Sequence, residues 1–529
     1  MALLEPESLE AEEYAKERSE ANAGEEETVT WADGIPPHVR GTETELQRAL
    51  EAVDNIKIGD LMMPTVSLVK QIKARYRTQW ARLNTDLVKL VREAKKENDQ
   101  TGVDRAMKWI LGSHVIFLRY EGKGRGARRR TQDTMGNRFR AWEEGKYDLL
   151  IKWTIKAIQK QKPTTKSMLD SQMKMEKVKA HIRAGELSKA TKLIQSKGVA
   201  DITTPLVQAQ LNSKHPQRKQ PMQQQLSRAQ IPIVEVALTE RYLKLRDNAG
   251  VGADRYRNSF LKPLAYKYRD IKAAKAIKAH EELAGWFLNA DLPSWVFQVT
   301  SCSKMLALIK NKDANGSVTD VRPIAMGGCR QRAWMAELVT QVAEEAGQEM
   351  AETQMAIGVR NGAGKLVKLI MGHMEWKPGD VLISLDFRNA YNEAKRQEVL
   401  RCLTNSRAMK KLAPAFWATH YPKADIKGIT AKSEAGLRQG CPLASAAFCC
   451  AIQPDLEWAN NQLKEHGIRG KVAFLMDDGY IMGPKEEAFA IAHQLASRLK
   501  QRLGIEIQPT KSKAYMRDHM ELQQYLEEE

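Results

Sequence analysis

Two adjacent carboxylates, Asp477 and Asp478, sit inside the apolar stretch Phe474-Leu475-Met476-Asp477-Asp478-Gly479-Tyr480-Ile481-Met482. Val472–Met476 and Tyr480–Met482 read as two short strands, with Asp-Asp-Gly suited to the tight turn between them. Carboxylates held together at a buried hairpin tip repel each other unless a cation lies between them, so the pattern points to a divalent metal. A third carboxylate, Asp386, ends the β-rich run Val381-Leu382-Ile383-Ser384-Leu385 and precedes a turn and a helical segment, Glu393–Leu403. At a strand's C-terminal end it is placed to complete a metal site with the pair, although an Asp there more commonly caps the following helix. Gly436-Leu437-Arg438-Gln439-Gly440 reads as a loop whose backbone can approach a ligand closely, and Pro442 can start the apolar helix after it.

In this order the three segments resemble motifs A, B and C of reverse transcriptases. Leu385-Asp386-Phe387-Arg388-Asn389-Ala390-Tyr391-Asn392 is similar to the wording of the non-LTR (LINE-type) retrotransposon branch. Arg322-Pro323-Ile324-Ala325 resembles the fingers segment before the palm. Gln354-Met355-Ala356-Ile357-Gly358-Val359-Arg360-Asn361-Gly362 resembles that branch's insertion between fingers and motif A, and Gly504–Lys511 resembles motif D. The resemblance covers residues 250 to 515.

The resemblance implies an α+β fold, the fingers and palm of a right-hand polymerase, and RNA-templated DNA synthesis. Its partners would be an RNA template, a DNA primer or target, and dNTPs. Asp386 and Asp477 would bridge two Mg²⁺ ions (or Mn²⁺) about 3.5–4 Å apart, with Asp478 in support. Such ions take hard oxygen ligands, in keeping with three Asp and no His or Cys. Lys310 and Arg322 would hold the triphosphate, with Lys312 competing for the role of Lys310. Phe387, Tyr391 and Gln439 would line the nucleotide pocket, Tyr391 matching the aromatic that blocks a 2′-hydroxyl. Lys511 matches the motif D lysine, a candidate acid for the leaving pyrophosphate. Two departures stand out: Leu475 replaces the usual Tyr, and only 14 residues follow Tyr515, too few for a thumb. Leu475 and the short end favour a rival reading, a nucleic-acid-binding remnant without activity. An RNA-dependent RNA polymerase is a second rival, disfavoured by Tyr391.

The elements that must position these residues are less sharply written. The chain carries 83 Lys+Arg against 65 Asp+Glu, a net +18, which favours a polyanionic partner. Residues 1–35 hold 11 acidic and 2 basic residues, so this net −9 segment leaves +27 on the rest. It reads as a disordered acidic tail. Residues 36–205 read as a basic, mainly helical region, 206–232 as a Gln-rich linker, and 233–529 as fingers and palm. Lys123-Gly124-Arg125-Gly126-Ala127-Arg128-Arg129-Arg130 reads as a phosphate-binding loop, a nuclear-localisation patch or a solvated loop. No apolar run reaches the roughly 18 residues of a membrane span. Six Cys without Cys-x-x-Cys spacing argue against zinc sites and a disulfide framework, and for a soluble intracellular protein of nucleus or cytoplasm. Gly358–Lys365 misses the P-loop spacing, and Asn315-Gly316-Ser317 reads as a hairpin turn rather than a glycosylation site.

Overall fold

A computed structural model describes residues 45–121, 127–160, 171–183, 185–216, 226, 231–247, 249–421, 424–427 and 432–528. The acidic tail, residues 122–126 of the basic run, and residues 217–225 and 227–230 of the Gln-rich stretch lie outside the described residues.

In the helix Ala74–Lys96, apolar residues recur every three or four positions, at Tyr76, Trp80, Leu83, Leu87 and Val91, and this stripe is buried. The helix lies against Ala276–Leu288. Arg92 donates to Glu282 at 2.9 Å, Lys95 pairs with Asp291 at 3.0 Å, and the Trp80 indole donates to the Phe260 carbonyl at 2.8 Å. The next helix, Gln100–Phe117, starts at Asp99, whose side chain accepts from the Gly102 amide. One apolar core runs from Ala49 through these helices to Leu522. The helical region and the segment expected as fingers and palm are therefore packed together.

The helical region also supplies a strand. Strand β1 (Val199–Ala200) pairs antiparallel with β2 (Ser303–Lys312), which forms a hairpin with β3 (Val318–Met326). Between β1 and β2 in sequence, Pro205–Ser213 is a helix where the linker was expected to begin. Pro at its first turn and Gln residues within it are compatible with that conformation.

A second sheet has the order β11-β4-β9-β8, with all neighbours antiparallel: β4 is Val381–Leu385, β8 Lys471–Leu475, β9 Asp478–Gly483 and β11 Lys513–Tyr515. Alternation sets its two faces. Val381, Ile383, Leu385, Val472, Phe474 and Ile481 join the main core. On that side lie the helices Pro442–Glu465 and Lys485–Leu503. Leu382, Ala473, Leu475, Tyr480 and Met482 cluster instead with Leu366 of the helix Gly362–Trp376. Leu475 thus fills an apolar layer where a Tyr was expected. No described helix is long and apolar enough to cross a membrane, and none of the six cysteines is in a disulfide.

Candidate active site

The register of the β8–β9 hairpin pairs Leu475 with Asp478. Its turn is therefore Met476–Asp477, one residue earlier than the Asp-Asp-Gly expected from sequence, and Asp478 opens β9. Two contacts explain the shift. Gly479 is needed in the strand opposite Phe474, because a Cβ there would sit 2.4 Å from the Phe474 ring. Gly479 also pairs with Leu385 of β4, so the sheet on the other side enforces the same register. The cost falls on Met476, which takes φ +61°. A non-glycine residue in the left-handed region costs about 1–3 kcal/mol and persists only where its surroundings impose it.

Asp386 lies one residue beyond β4, and the segment Gln508–Ser512 holds it by both backbone groups. Its N–H donates to the Ser512 hydroxyl at 3.1 Å, and its carbonyl accepts from the Gln508 N–H at 2.7 Å. Strand β10 (Glu506–Ile507), paired with β5 (Phe387–Arg388), brings Gln508 to that position. The three aspartates are electrostatically coupled. Burial pushes the Asp477 carboxyl up, Asp478 and Asp386 push the same way, and Arg322 opposes them. Asp477 is half-buried and Asp478 exposed.

Among the described residues no group of three or more His, Cys, Asp or Glu is placed to hold a metal ion by itself. Mg²⁺ bound with phosphate substrates takes one or two carboxylates and completes its octahedron with phosphate oxygens and water. Asp386 and Asp477 fit that donor set. Both offer hard oxygens, and a divalent cation would relieve the repulsion from Asp478 and Asp386 that adds to burial in raising the Asp477 carboxyl.

Tyr391 is buried and stacks on Phe448 of the helix Pro442–Glu465, with centroids 4.6 Å apart at 23°. Burial pushes its hydroxyl up, and a hydrogen bond with Ser445 opposes this. Its carbonyl accepts from the Leu437 N–H. The glycine loop is fastened from below by the buried Arg396, which donates to the carbonyls of Gly436 (2.7 Å), His420 (2.7 Å), Ala435 (3.0 Å) and Ser433 (3.1 Å). Gly436 has φ +63°, and a Cβ there would lie 2.0 Å from the Asn392 carbonyl. The loop was expected to let backbone approach a ligand; at Gly436 the close approach is made instead to the chain's own backbone at Asn392. Gln439 accepts from the Ala325 N–H at 2.8 Å through its carbonyl, tying the loop to β3, and its side chain is half-exposed.

The remaining expected residues are more dispersed. Arg322, exposed on β3, acts electrostatically on Asp477. Lys310 on β2 pairs with Asp320 at 3.6 Å, and Lys312 is exposed near the tip of the same hairpin. Phe387 packs on Phe474, centroids 6.2 Å apart. Lys511 is exposed and donates to the Gln508 side chain at 3.0 Å, in the loop that holds Asp386. Sequence reasoning left Gln508, Ser512 and Asp320 unassigned. They act through backbone and neighbour contacts that no short motif announces.

Residues 309–526, under half of the chain, match the family model described as reverse transcriptase (RNA-dependent DNA polymerase). The chain carries a reverse transcriptase domain, and Asp386, Tyr391, Gln439, Asp477 and Lys511 lie within it. A comparison with curated proteins finds no match. Among solved structures, apo telomerase from Candida tropicalis is similar at 9% identity and TM-score 0.32, over 41% of this chain and 45% of that one. Telomerase from Candida albicans, in complex with a fragment of telomeric RNA, is similar at 10% identity and TM-score 0.33, over 49% and 51%. The chain thus spans about half the length of these proteins.

Proposed function

We propose that this chain is an RNA-templated DNA polymerase of the non-LTR retrotransposon type, transferring nucleotides to a primer 3′-hydroxyl. The observation that carries the reading is the convergence of Asp386, after β4, and Asp477, in the β8–β9 turn, with Arg322 of the fingers hairpin acting on the same carboxylate.

Asp386 and Asp477 would hold two divalent cations, Mg²⁺ or Mn²⁺, with Asp478 supporting them. When bound, the ions would favour deprotonation of the primer hydroxyl and neutralise charge on the pyrophosphate. The protein's own groups do the rest. Arg322 offers the triphosphate a planar, permanently charged donor set. Lys310 joins it by exchanging Asp320 for phosphate oxygens. Gln439, on the loop tied to β3, hydrogen-bonds the incoming nucleotide. Phe387 and Tyr391 shape the pocket, and Tyr391, pinned on Phe448, leaves no room for a 2′-hydroxyl. Lys511, exposed in the loop that holds Asp386, can hand a proton to the leaving pyrophosphate. RNA template and DNA primer would be drawn by the excess of basic residues, with binding that weakens steeply with salt.

The test is primer extension by the purified chain on a poly(rA)–oligo(dT) template with Mg²⁺, alongside Asp386→Asn. Synthesis by the wild type and its loss in the variant are expected. Binding without extension by the wild type would instead mark a nucleic-acid-binding remnant.

A further inference from the structure

We propose that Gln354 is a positioning residue for the catalytic turn: its buried side-chain amide holds the Met476 peptide in the left-handed conformation that presents Asp477. The proposal rests on the polymerase reading above.

Gln354 is fully buried, at 0% exposure. Its Oε1 accepts from the Met476 N–H at 2.8 Å, and its Nε2 donates to the Met476 carbonyl at 3.3 Å. Met476 is the first of the two turn residues, outside the β8–β9 ladder, and is also the residue at φ +61°. One side chain therefore satisfies both backbone groups of the strained residue beside Asp477. Only an amide offers a donor and an acceptor on one planar end. A carboxylate cannot donate, and an apolar chain does neither.

The amide reaches the turn because the backbone around it is fixed to β8. The Phe474 N–H donates to the Thr353 carbonyl at 2.7 Å, and the Met355 N–H to the Phe474 carbonyl at 2.8 Å. Thr353 is fully buried as well, and its hydroxyl donates to Gln453 at 3.1 Å on the helix Pro442–Glu465. That helix carries Phe448, on which Tyr391 stacks. Gln354 thus lies between the helix that packs against Tyr391 and the turn that carries Asp477. The strand register puts the strain on Met476; without the amide both of its backbone groups would lose their partner, and the peptide that carries Asp477 would no longer be held in place.

The experiment is a double-mutant cycle of Gln354→Met and Met476→Gly, because glycine takes positive φ at no steric cost. Gln354→Met should lower kcat for primer extension by about ten- to a hundredfold, the effect of a small misplacement, with KM for dNTP changed less than twofold. In the Met476→Gly background the same substitution should cost less than about threefold, since the turn no longer needs holding. Hydrogen exchange gives a second readout that needs no activity: the Met476 amide should be protected in the wild type and exchange at least about tenfold faster in Gln354→Met. An unchanged kcat, an equal loss in both backgrounds, or unaltered exchange would each overturn the proposal. If Gln354→Met does not fold, Gln354→Leu, which likewise has neither donor nor acceptor, replaces it in the cycle. A wild-type chain that extends no primer defeats the polymerase reading, and the clamp then stands or falls on the exchange measurement alone.

Discussion

At the tip of the β2–β3 hairpin, positive φ falls on Gly316, at +81°. The turn closes locally there, with Asp313 accepting from the Ser317 N–H at 2.8 Å through its side chain. At the tip of β8–β9, positive φ falls on Met476, and closure comes from Gln354, 122 residues away in sequence. The first turn is written in its own residues and is exposed. The second contradicts its residue type: the sheet register imposes it and a buried partner holds it. The difference is where strain is stored: the fingers tip carries none that glycine does not absorb, and the palm tip carries it beside the carboxylate proposed to hold a metal ion.

Breaking the palm tip chemically should have the largest effect. Asp477→Asn should reduce extension at least about a hundredfold, the scale of losing one preorganised electrostatic element. Asp313→Asn at the fingers tip should change kcat less than about twofold, as an exposed surface substitution. Asp477→Asn should also raise the urea midpoint of the metal-free chain, because it removes a charge that Asp386 and Asp478 repel. Added Mg²⁺ should then stabilise the wild type more than the variant. Equal stabilisation of both would remove Asp477 from the metal site.

The next effect tests whether the tertiary fixation of the palm extends to sugar choice. Tyr391→Ala should improve ribonucleotide use by about 5- to 150-fold, the range set by roughly 1–3 kcal/mol of relieved overlap. Deoxynucleotide use should fall less. Competition between rNTP and dNTP incorporation measures both, and an unaltered ratio would make Tyr391 a packing residue under the helix that carries Phe448.

The smallest effect sharpens the contrast between the turns themselves. Gly316→Ala should destabilise the chain by about 1 kcal/mol, since Ala does not take +81° freely. Met476→Gly should range from neutral to stabilising by about 2 kcal/mol, because released strain of about 1–3 kcal/mol exceeds about 0.5–1 kcal/mol of glycine chain entropy. Denaturant titrations compare the two. A large loss in Met476→Gly would mean that its side chain, rather than its backbone, holds the palm tip.

The apolar run Val381–Leu385 ending in Asp386 was legible from sequence because strand periodicity and a terminal carboxylate are local patterns. The Asn315-Gly316 hairpin was legible for the same reason. The turn at Met476–Asp477 was not. Local preference puts the bend at Asp-Gly, and the bend moved because β4 pairs Leu385 with Gly479 and the Phe474 ring requires a glycine opposite it. The packing of the helical region into the same core as the palm was equally invisible, since an apolar stripe on Ala74–Lys96 does not say which helix will cover it.

What the sequence by itself determined are the features that one segment can encode: the order of the motifs, the carboxylates at strand ends and the glycines where two backbones must touch. Tertiary structure decided the rest. Gln508 and Ser512 hold Asp386, Arg396 fastens the glycine loop, and Gln354 holds the backbone of Met476, each across a gap in sequence that no local pattern spans. The physical reason is that buried polar groups must find partners wherever the packed chain brings them, and which partner arrives is settled only when the core closes.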